Sequence, residues 1–362
     1  MRFCNKLLVF AFLALLACPS IASLCHLRPM DRFDEKRALA KAPQLSGVKW
    51  SDTQSVVTFT RDWETYYGDN FGLRKLLIGS YRLASLHLFR ISLNPAVVVG
   101  ESDGGVRWLY FDASAAGNGM GLDGFLGKVP YGQAELAAIG ANLSRLAKLF
   151  ADNHTQFLVV VVPDKQTICP EHLPKSLRPR PGTRSRSDQV SEVAERVLGP
   201  AYLDLRQAML QAKSEGILYY PQDTHWNHKA GLLAYQKLMQ ALQVQDPTRT
   251  PMPKEAFRWD RNPILLGDLI DLAGLPSFSR EPLLVPVLTS AIPPGHRHGK
   301  LLIYYDSYFR EFVKPYLEVE FERVRIVYGG FKASAVILTQ AELDVEKPDV
   351  VIIEAAERFW TW

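Results

Sequence analysis

Residues 301–308 read LLIYYDSY, and this stretch decides the fold class. Its apolar and aromatic half, Leu301–Tyr305, is typical of a buried β-strand. A helical pattern follows at Phe309–Leu317, so Ser307 is placed where a strand passes into a helix. In an α/β sheet, reactive side chains gather in the loops beyond the carboxyl ends of the strands. Ser307 is therefore the first candidate for a functional residue.

The rest of the chain repeats this alternation of strands and helices. Phe157–Val162 is a continuous apolar, β-branched run ended by Pro163, which is typical of a buried parallel strand. Further strands are predicted at Ala96–Gly100, Trp108–Phe111, Tyr202–Leu205, Val324–Tyr328 and Val350–Ile353. Apolar residues at helical spacing predict helices through Leu136, Ile139, Leu143, Leu146 and Phe150, and through Leu232, Tyr235, Met239 and Leu242. We therefore predict an α/β fold, a mostly parallel sheet flanked by helices.

Composition and charge exclude several classes of protein. The 362 residues are 47% hydrophobic and 22% charged, which excludes a disordered tail, a collagen and a coiled coil. The formal net charge is +4, and setting aside Arg2 and Lys6 in the apolar amino-terminal segment leaves 4 − 2 = +2. A charge this small predicts no nucleic-acid partner.

The amino terminus has the pattern of an export signal. Leu7–Cys25 contains no charged side chain and follows two basic residues. Ser20-Ile21-Ala22 resembles a cleavage site, but the run is also long enough to remain as a membrane anchor. A third alternative is the loose lipoprotein-like box Leu15-Leu16-Ala17-Cys18. We therefore expect export, with the mode of attachment open.

The domain layout follows from these segments. We predict a signal peptide or anchor at 1–25, a linker at 26–60 and one α/β domain at 61–362, with an irregular proline-rich insertion at about 246–300. With Cys4 and Cys18 inside the targeting segment, Cys25 and Cys169 are the only pair that could form a disulfide, and only if cleavage spares Cys25. A lone buried thiol at Cys169 is the equal alternative.

A second polar motif, Asp223-Thr224-His225-Trp226, directly precedes the helix through Tyr235. A serine hydroxyl becomes a nucleophile when a base takes its proton, and His225 is the candidate base for Ser307. Asp223, two residues away, can hold the imidazole in one tautomer. The backbone N–H of Ser307, near a helix start, is a candidate oxyanion donor. The spacing alone is weak evidence, because a lone histidine or a helix-capping aspartate also explains it.

The same motif allows a metal site as an alternative. Asp223, His225 and His228 offer oxygen and nitrogen ligands, but the sequence supplies no distant fourth ligand. His228 falls in the first turn of the next helix, where we expect it to face solvent. We therefore predict neither a metal nor another cofactor.

Here the sequence resembles a known family. Asp223-Thr224-His225-Trp226 and Asp306-Ser307 look like the paired motifs of the alginate O-acetyltransferases of the AlgJ/AlgX family, which carry an SGNH-hydrolase-like domain. The histidine motif precedes the serine, the inverse of ordinary SGNH hydrolases. Weaker matches to the same family are spread over most of the chain. In sequence order they are Tyr67–Arg74 (YGDNFGLR), Pro163-Asp164-Lys165, Pro170-Glu171, Leu173-Pro174, Gly267-Asp268-Leu269, Lys347-Pro348-Asp349 and Glu357-Arg358.

The resemblance implies a function and a cellular setting. Ser307 would be the nucleophile, His225 the base and Asp223 its orienter, with an acetyl-serine intermediate resolved by a sugar hydroxyl. The partners implied are a polysaccharide acceptor, a membrane-bound O-acyltransferase that supplies acetyl groups, and other exopolysaccharide export subunits in the periplasm. The chain stops at Trp362, which favours a layout like AlgJ, without the carboxyl-terminal carbohydrate-binding module of AlgX. One departure is Tyr305, where many SGNH proteins have glycine.

Two sets of residues are candidates for binding the acceptor. Trp226 and Tyr308 adjoin the predicted catalytic residues and are able to stack on a sugar, although a core role is equally expected. Arginine matches carboxylate geometry, so a proline-rich stretch is a candidate site for an anionic polymer such as alginate through Arg178, Arg180, Arg184 and Arg186. A solvated loop is the alternative.

Two other functions remain open at this stage. The same three residues would also serve an acetylesterase, because nothing in a triad decides between water and a sugar hydroxyl as acceptor. A non-catalytic glycan-binding subunit of an export complex is the second alternative.

Overall fold

The computed structural model describes residues 2–25, 27, 38–114, 121–275, 280–328 and 339–360. The chain folds into two units. The first consists of the residues up to 94 together with 270–278. The second, larger unit consists of residues 95–269 together with 279–362.

The strands agree closely with the sequence-based predictions. In chain order they are β1 (Val97–Asp103), β2 (Val106–Phe111), β3 (Gln156–Val162), β4 (Tyr202–Asp204), β5 (Phe257–Leu266), β6 (Glu281–Leu288), β7 (Lys300–Tyr305), β8 (Arg323–Tyr328) and β9 (Val350–Ala356). β1 and β2 pair antiparallel around Gly104-Gly105, whose φ angles of +54° and +82° are the left-handed values that a tight hairpin turn requires.

The helices alternate with these strands. They are α1 (Arg2–Leu24), α2 (Thr53–Asn70), α3 (Arg74–Ala84), α4 (Leu122–Phe125), α5 (Gln133–Asp152), α6 (Lys165–Ile168), α7 (Arg186–Leu198), α8 (Arg206–Ala212), α9 (His228–Gln245), α10 (Asp268–Ala273), α11 (Ser307–Phe312), α12 (Lys314–Glu320) and α13 (Gln340–Glu346). A π-helical turn, Ser85–Phe89, continues α3. α1 is long and apolar enough to cross a membrane, as expected for a signal or an anchor.

A five-stranded parallel sheet forms the centre of the larger unit. Its order is β4–β3–β9–β7–β8, and every neighbouring pair is parallel. Successive side chains of a strand point to opposite faces, so Leu158 and Val160 of β3 pack in one apolar cluster with α9. Val159 and Val161 pack in the other cluster, with α5 and α7. The predicted α/β fold, with helices on both faces of a mostly parallel sheet, is confirmed.

Two predictions about organisation are wrong. The stretch 246–300 is not irregular, because β5 and β6 form an antiparallel ribbon with a break in register between Arg261 and Leu265. β6 contains Pro282 and Pro286, which hid the strand in the sequence. A two-stranded ribbon tolerates proline because each strand has an unpaired edge.

The predicted boundary between linker and α/β domain, at residue 61, also differs from the structure. Helix α2 begins at Thr53, within the predicted linker, because the Asp52 side chain caps it by accepting the Gln54 N–H at 3.0 Å. The helices at 53–89 belong to the first unit and not to the unit that contains the parallel sheet. Residues 28–37 of the predicted linker lie outside the described part of the chain.

The remaining corrections are local. The helix predicted at Phe309–Leu317 is divided into α11 and α12, since Pro315 starts a new helix near its first position. Cys25 and Cys169 are both free thiols, and burial raises the pKa of Cys169 to about 12. Cys169 is thus the lone buried thiol that the sequence allowed.

A close contact between α9 and α11 yields the first testable prediction. A Cβ at Gly231 of α9 would lie 2.6 Å from the backbone oxygen of Phe312, the last residue of α11. We expect Gly231→Ala to lower the free energy of unfolding by about 1–3 kcal/mol, because this overpacking outweighs the gain in helix propensity. Urea unfolding of the purified chain measures it.

Gly140→Ala in α5 is the matched control. There the nearest atom is the Val193 Cγ1 at 3.3 Å, the end of a side chain, so we expect a smaller loss or a gain in stability. A Gly231→Ala protein as stable as the wild type would show that α9 and α11 do not approach as closely as described.

Candidate active site

Ser307 lies at the start of α11, directly after β7. The helix is capped by Asp306, whose Oδ1 accepts the Tyr308 N–H at 2.9 Å. The other carboxylate oxygen of Asp306 accepts the N–H of Ala356, at the end of β9, at 2.8 Å. These bonds fix the turn that presents Ser307, and they join the ends of two neighbouring strands.

The structure brings together the three residues predicted from the two motifs. The Ser307 Oγ lies 2.8 Å from the His225 Nε2, and the His225 Nδ1 lies 2.7 Å from the Asp223 Oδ1. An ionised carboxylate only accepts hydrogen bonds, so Nδ1 carries a proton and Nε2 is left to accept the serine hydroxyl proton. His225 is thus oriented as a general base toward Ser307.

Asp223 is held rigidly and kept ionised. Its Oδ2 accepts the N–H groups of Gly267 at 2.6 Å and Asp268 at 2.9 Å, and its Oδ1 also accepts the His225 N–H at 2.9 Å. Burial alone would raise its pKa, but hydrogen bonds and the nearby imidazole outweigh burial and lower the pKa well below its ordinary range. Asp223 therefore remains a carboxylate whenever His225 has to act.

The pKa of His225 is shifted the other way. Burial lowers it, but the hydrogen bond and the charge of Asp223, with smaller contributions from Asp268 and Asp306, outweigh burial and raise it above 6.5. A base with a raised pKa takes a proton more readily but is protonated, and so inactive, over a wider acidic range.

Asp268 is a second carboxylate at the site to which the sequence assigned no role. Its Oδ1 accepts the Thr224 N–H at 2.7 Å, its Oδ2 accepts the Thr224 hydroxyl, and Oδ2 lies 3.8 Å from the His225 Nδ1. Burial and the repulsion of Asp223 raise its pKa. The one sequence signal was its place in the matched Gly267-Asp268-Leu269 motif.

Lys165 is a further residue without an assigned role. Its buried ammonium donates to the backbone oxygens of Tyr220 at 3.0 Å, Pro221 at 3.1 Å and Asp223 at 2.6 Å. It also lies over the rings of Trp108 and Tyr110, at 5.7 and 5.2 Å from their centroids. Burial lowers the pKa of Lys165 to about 8. The ammonium fixes the loop that carries Asp223.

The residues that could hold a metal ion in the structure differ from those expected from the sequence. Oxygen and nitrogen atoms of Asp223, His225 and Asp268 lie within 4.8 Å of one another. Those atoms already bond to each other and to backbone N–H groups, so an ion would displace the bond between His225 and Asp223. The expected ligand His228 packs instead against Trp259, with ring centroids 5.2 Å apart. It is half-buried, so the prediction that it faces solvent is wrong.

The two candidate stacking aromatics belong to the core. Trp226 and Tyr308 are fully buried and meet edge to face, with centroids 5.4 Å apart. The Trp226 indole donates to the Tyr308 backbone oxygen at 3.3 Å, and the Tyr308 hydroxyl donates to the Thr224 oxygen at 2.7 Å. Of the two roles that the sequence left open for Trp226 and Tyr308, the structure shows the core role. They hold the serine motif against the histidine motif.

The four arginines that the sequence offered as a site for an anionic polymer lie in different surroundings. Arg178 donates to the backbone oxygens of Glu171 and Leu173, Arg184 pairs with Glu192, and Arg180 is exposed. The Arg186 guanidinium lies 4.1 Å from the Tyr131 ring centroid. Arg186 also lines a small polar pocket beyond the carboxyl ends of β3 and β9, together with Arg358, Asp164, Glu357 and Tyr131.

Comparison with known proteins gives one family and several relatives. The family described as "SGNH hydrolase-like domain, acetyltransferase AlgX" matches residues 94–302, more than half of the chain. The match includes Asp223 and His225 and ends before Ser307.

One curated relative is "Probable alginate O-acetylase AlgJ" of Pseudomonas syringae pv. tomato, 27% identical over 197 residues. The alignment covers 52% of this chain and 44% of that relative, so the chain spans less than half the length of the protein it matches.

Solved structures show similarity of fold. The structure of Bacillus cereus PatB1 is 12% identical, with a TM-score of 0.50, over 74% of this chain and 100% of that one. The O-acetyltransferase domain of Pseudomonas putida AlgJ is 20% identical, with a TM-score of 0.48, over 73% of this chain and 92% of that one. The PatB1 likeness supports the fold alone.

The site geometry yields the second testable prediction. We expect NMR titration of the His225 imidazole to give a pKa above 6.5 and Asp223→Asn to lower it, because burial is then opposed much less. Asp268→Asn should lower the pKa of His225 by less than Asp223→Asn. The Asp268 carboxylate lies 3.8 Å from the His225 Nδ1, whereas that of Asp223 lies 2.7 Å away. His225→Gln assigns the signal.

Asp246→Asn is the control substitution, because this carboxylate is not among the groups that shift His225. A larger effect of Asp268→Asn than of Asp223→Asn would contradict the assignment of Asp223 as the partner of the imidazole.

Proposed function

We propose that this chain, which belongs to the family of the SGNH hydrolase-like acetyltransferase AlgX, is an O-acetyltransferase that acetylates an exported polysaccharide through Ser307. The observation that carries the proposal is the continuous set of hydrogen bonds from the Ser307 Oγ through His225 to Asp223. An activated serine at the carboxyl edge of a parallel sheet is suited to acyl transfer.

The first half of the reaction forms an acetyl-enzyme. The His225 Nε2 takes the Ser307 hydroxyl proton while the Oγ attacks the carbonyl carbon of an acetyl donor. The tetrahedral intermediate collapses, the bond to the donor breaks, and the leaving group takes the proton from His225. Asp223 stabilises the transient imidazolium and keeps its Nδ1–H oriented throughout.

The second half passes the acetyl group to the acceptor. A sugar hydroxyl gives its proton to the His225 Nε2 and its oxygen attacks the acetyl carbon. The ester bond to Ser307 breaks, and the serine oxygen recovers a proton from His225. Transfer exceeds hydrolysis when the acceptor hydroxyl is held close to the acyl carbon, because its effective concentration then exceeds that of water.

A polyuronate such as alginate is our proposed acceptor. The matched curated relative is named for alginate O-acetylation. Arg186 lines the pocket beyond β3 and β9, and a guanidinium can bind a carboxylate through two parallel hydrogen bonds. Arg358 of the same pocket is buried and paired with Asp164. Export to the periplasm, acetyl supply by a membrane-bound O-acyltransferase and association with export subunits complete the proposal.

Covalent labelling tests the nucleophile and is the third prediction. We expect incubation with a small activated acetyl ester to add one acetyl group to the wild-type chain, detected by intact mass, and Ser307→Ala to abolish the adduct. His225→Ala should slow its formation by about 10²-fold or more, because general-base assistance is lost. Ser214→Ala, at an exposed serine outside the site, is the control and should label like the wild type. A labelled Ser307→Ala protein would refute the mechanism.

Partitioning of the acetyl-enzyme separates transferase from esterase and is the fourth prediction. We expect an oligomannuronate acceptor to divert acetyl groups from water to sugar, with acetylated sugar rising and free acetate falling as its concentration increases. Arg186→Gln should raise the acceptor concentration needed while leaving acetylation of Ser307 unchanged. Acetate release that no acceptor reduces would identify the chain as an acetylesterase, for which the same triad suffices.

A further inference from the structure

A groove of about 570 Å³ lies at the end of the parallel sheet opposite to Ser307. Ser307 follows the carboxyl end of β7, whereas the groove lies where β3, β9 and β7 begin. At about 3.3 Å per residue, β7 and its flanking residues separate the two places by about 25 Å. The volume is within the range of small-molecule sites. The polar side chains that line the groove include His154, Gln156, Asp246, Arg249, His298 and Asp349, all in the larger unit.

Arg249 supplies a buried positive charge to this groove, since only 4% of the residue is exposed. Its Nε lies 3.3 Å from both the Gln156 Oε1 and the Asp246 Oδ2, and the guanidinium lies 5.0 Å from the Phe321 ring centroid. The Arg249 Nη1 is buried and has no hydrogen-bond partner among the described residues. A buried charged donor without an acceptor is costly, so the terminal nitrogens mark a place for an acceptor from outside the chain.

His298 lines the groove with an unused acceptor. Its Nδ1 lies 3.1 Å from the His296 backbone oxygen. A carbonyl oxygen only accepts hydrogen bonds, so Nδ1 carries the proton and the Nε2 of the neutral ring has a free lone pair. That Nε2 is also buried and without a hydrogen-bond partner in the described part of the chain. It is suited to accept from a hydroxyl group.

His154 occupies a backbone position that usually requires glycine. Its φ is +52°, its N–H donates to the Ala151 oxygen at 3.1 Å, and the Thr155 N–H donates to the Phe150 oxygen at 3.0 Å. These bonds close the end of α5 in the pattern for which glycine is the commonest residue, because a Cβ is strained there. The chain therefore holds an imidazole at the groove at a conformational cost.

Two carboxylates complete the lining. The Asp349 Oδ2 accepts the Lys300 N–H at 2.7 Å, and the Asp246 Oδ1 accepts the Thr248 N–H at 3.1 Å. A carboxylate accepts about four hydrogen bonds, so each of the two can also accept from a hydroxyl group. Asp349 is exposed, so solvent screens its repulsion of a ligand carboxylate. One guanidinium beside several acceptors is the complement of a sugar acid, which has one carboxylate and several hydroxyl groups on a ring.

We propose that this groove is a binding site for a sugar acid, with the ligand carboxylate on Arg249 and its hydroxyl groups on His298 and Asp349. The bonds of the Arg249 Nε are long, so a small rotation turns the terminal nitrogens to the ligand. A guanidinium then binds the carboxylate through two parallel hydrogen bonds. On a polyuronate, the site would hold the polymer about 25 Å from Ser307 and raise its concentration at the triad. That role rests on the proposed function, whereas the binding itself does not.

NMR of the histidine imidazoles tests the site and is the fifth prediction. We expect titration of the full chain with sodium glucuronate to shift the signals of His154 and His298, which His154→Gln and His298→Gln assign. Glucose lacks the carboxylate and propionate lacks the hydroxyl groups, so each should bind at least about tenfold more weakly. Signals of His154 and His298 that glucuronate leaves unchanged, or propionate or glucose binding as tightly as glucuronate, would overturn the proposal. The His225 signal reports binding at the triad separately, so a failure here is distinguishable from a failure of the proposed function.

Replacing the guanidinium tests which group binds the carboxylate. We expect Arg249→Lys to raise the Kd for glucuronate by about tenfold, because lysine keeps the charge but cannot form two parallel bonds. Arg206→Lys is the matched control and should leave the Kd unchanged. The Arg206 guanidinium already donates to Asp204, Asp188 and Ser191 at the other end of the sheet.

A second variant keeps the proposal testable if Arg249→Lys does not fold, which thermal unfolding shows. His298→Phe removes the acceptor nitrogen and should also raise the Kd, followed at the His154 signal. Glucuronate binding that equals that of the wild type in every folded variant of Arg249 and His298 would overturn the proposal.

Discussion

The loop that carries Asp223 and His225 depends on one buried ammonium group. Removing a lysine from water costs several kcal/mol unless its charge is compensated. The three backbone oxygens of Tyr220, Pro221 and Asp223 compensate Lys165, and the faces of Trp108 and Tyr110 supply further negative potential. The Pro221 oxygen also accepts the Leu109 N–H at 2.8 Å and the Tyr220 oxygen the Asp223 N–H at 3.4 Å, so Lys165 adds one shared donor to a turn that backbone bonds already close. Its bond to the Asp223 oxygen at 2.6 Å helps to fix the position of that residue.

The serine side of the site depends on a second buried arrangement. The Asp306 N–H donates to the Glu354 Oε2 at 2.8 Å, while the Asp306 carboxylate accepts N–H groups from α11 and the end of β9. Burial, with the charge of Asp306, raises the pKa of Glu354 well above its ordinary range. Both carboxyl groups are buried, and the N–H groups that they accept offset part of the cost of burying them. The turn before Ser307 is thereby fixed from β9.

The sequence was sufficient to predict those features whose residues lie together in one short segment. Ser307 at a strand-to-helix junction, and Asp223 two residues before His225, are patterns within single segments, so the parallel sheet and the three central residues were predictable. Lys165 and Asp268 escaped assignment because their partners lie 55 to 58 and 44 to 45 residues away. β6 was missed because Pro282 and Pro286 interrupt its apolar run, and the start of α2 because Asp52 was not identified as a cap.

The buried packing of Trp226 on Tyr308 explains why aromatic residues adjoin both predicted catalytic residues. The two motifs are 82 residues apart in sequence, yet the Ser307 Oγ and His225 Nε2 must stay within hydrogen-bonding distance. An edge-to-face aromatic pair allows little sliding, and here each ring also bonds to backbone of the opposite motif. A displacement of about 1 Å between the motifs would break the bond that activates the serine. The aromatic side chains therefore fix this distance, and under the proposed function binding of the acceptor is left to other, exposed groups.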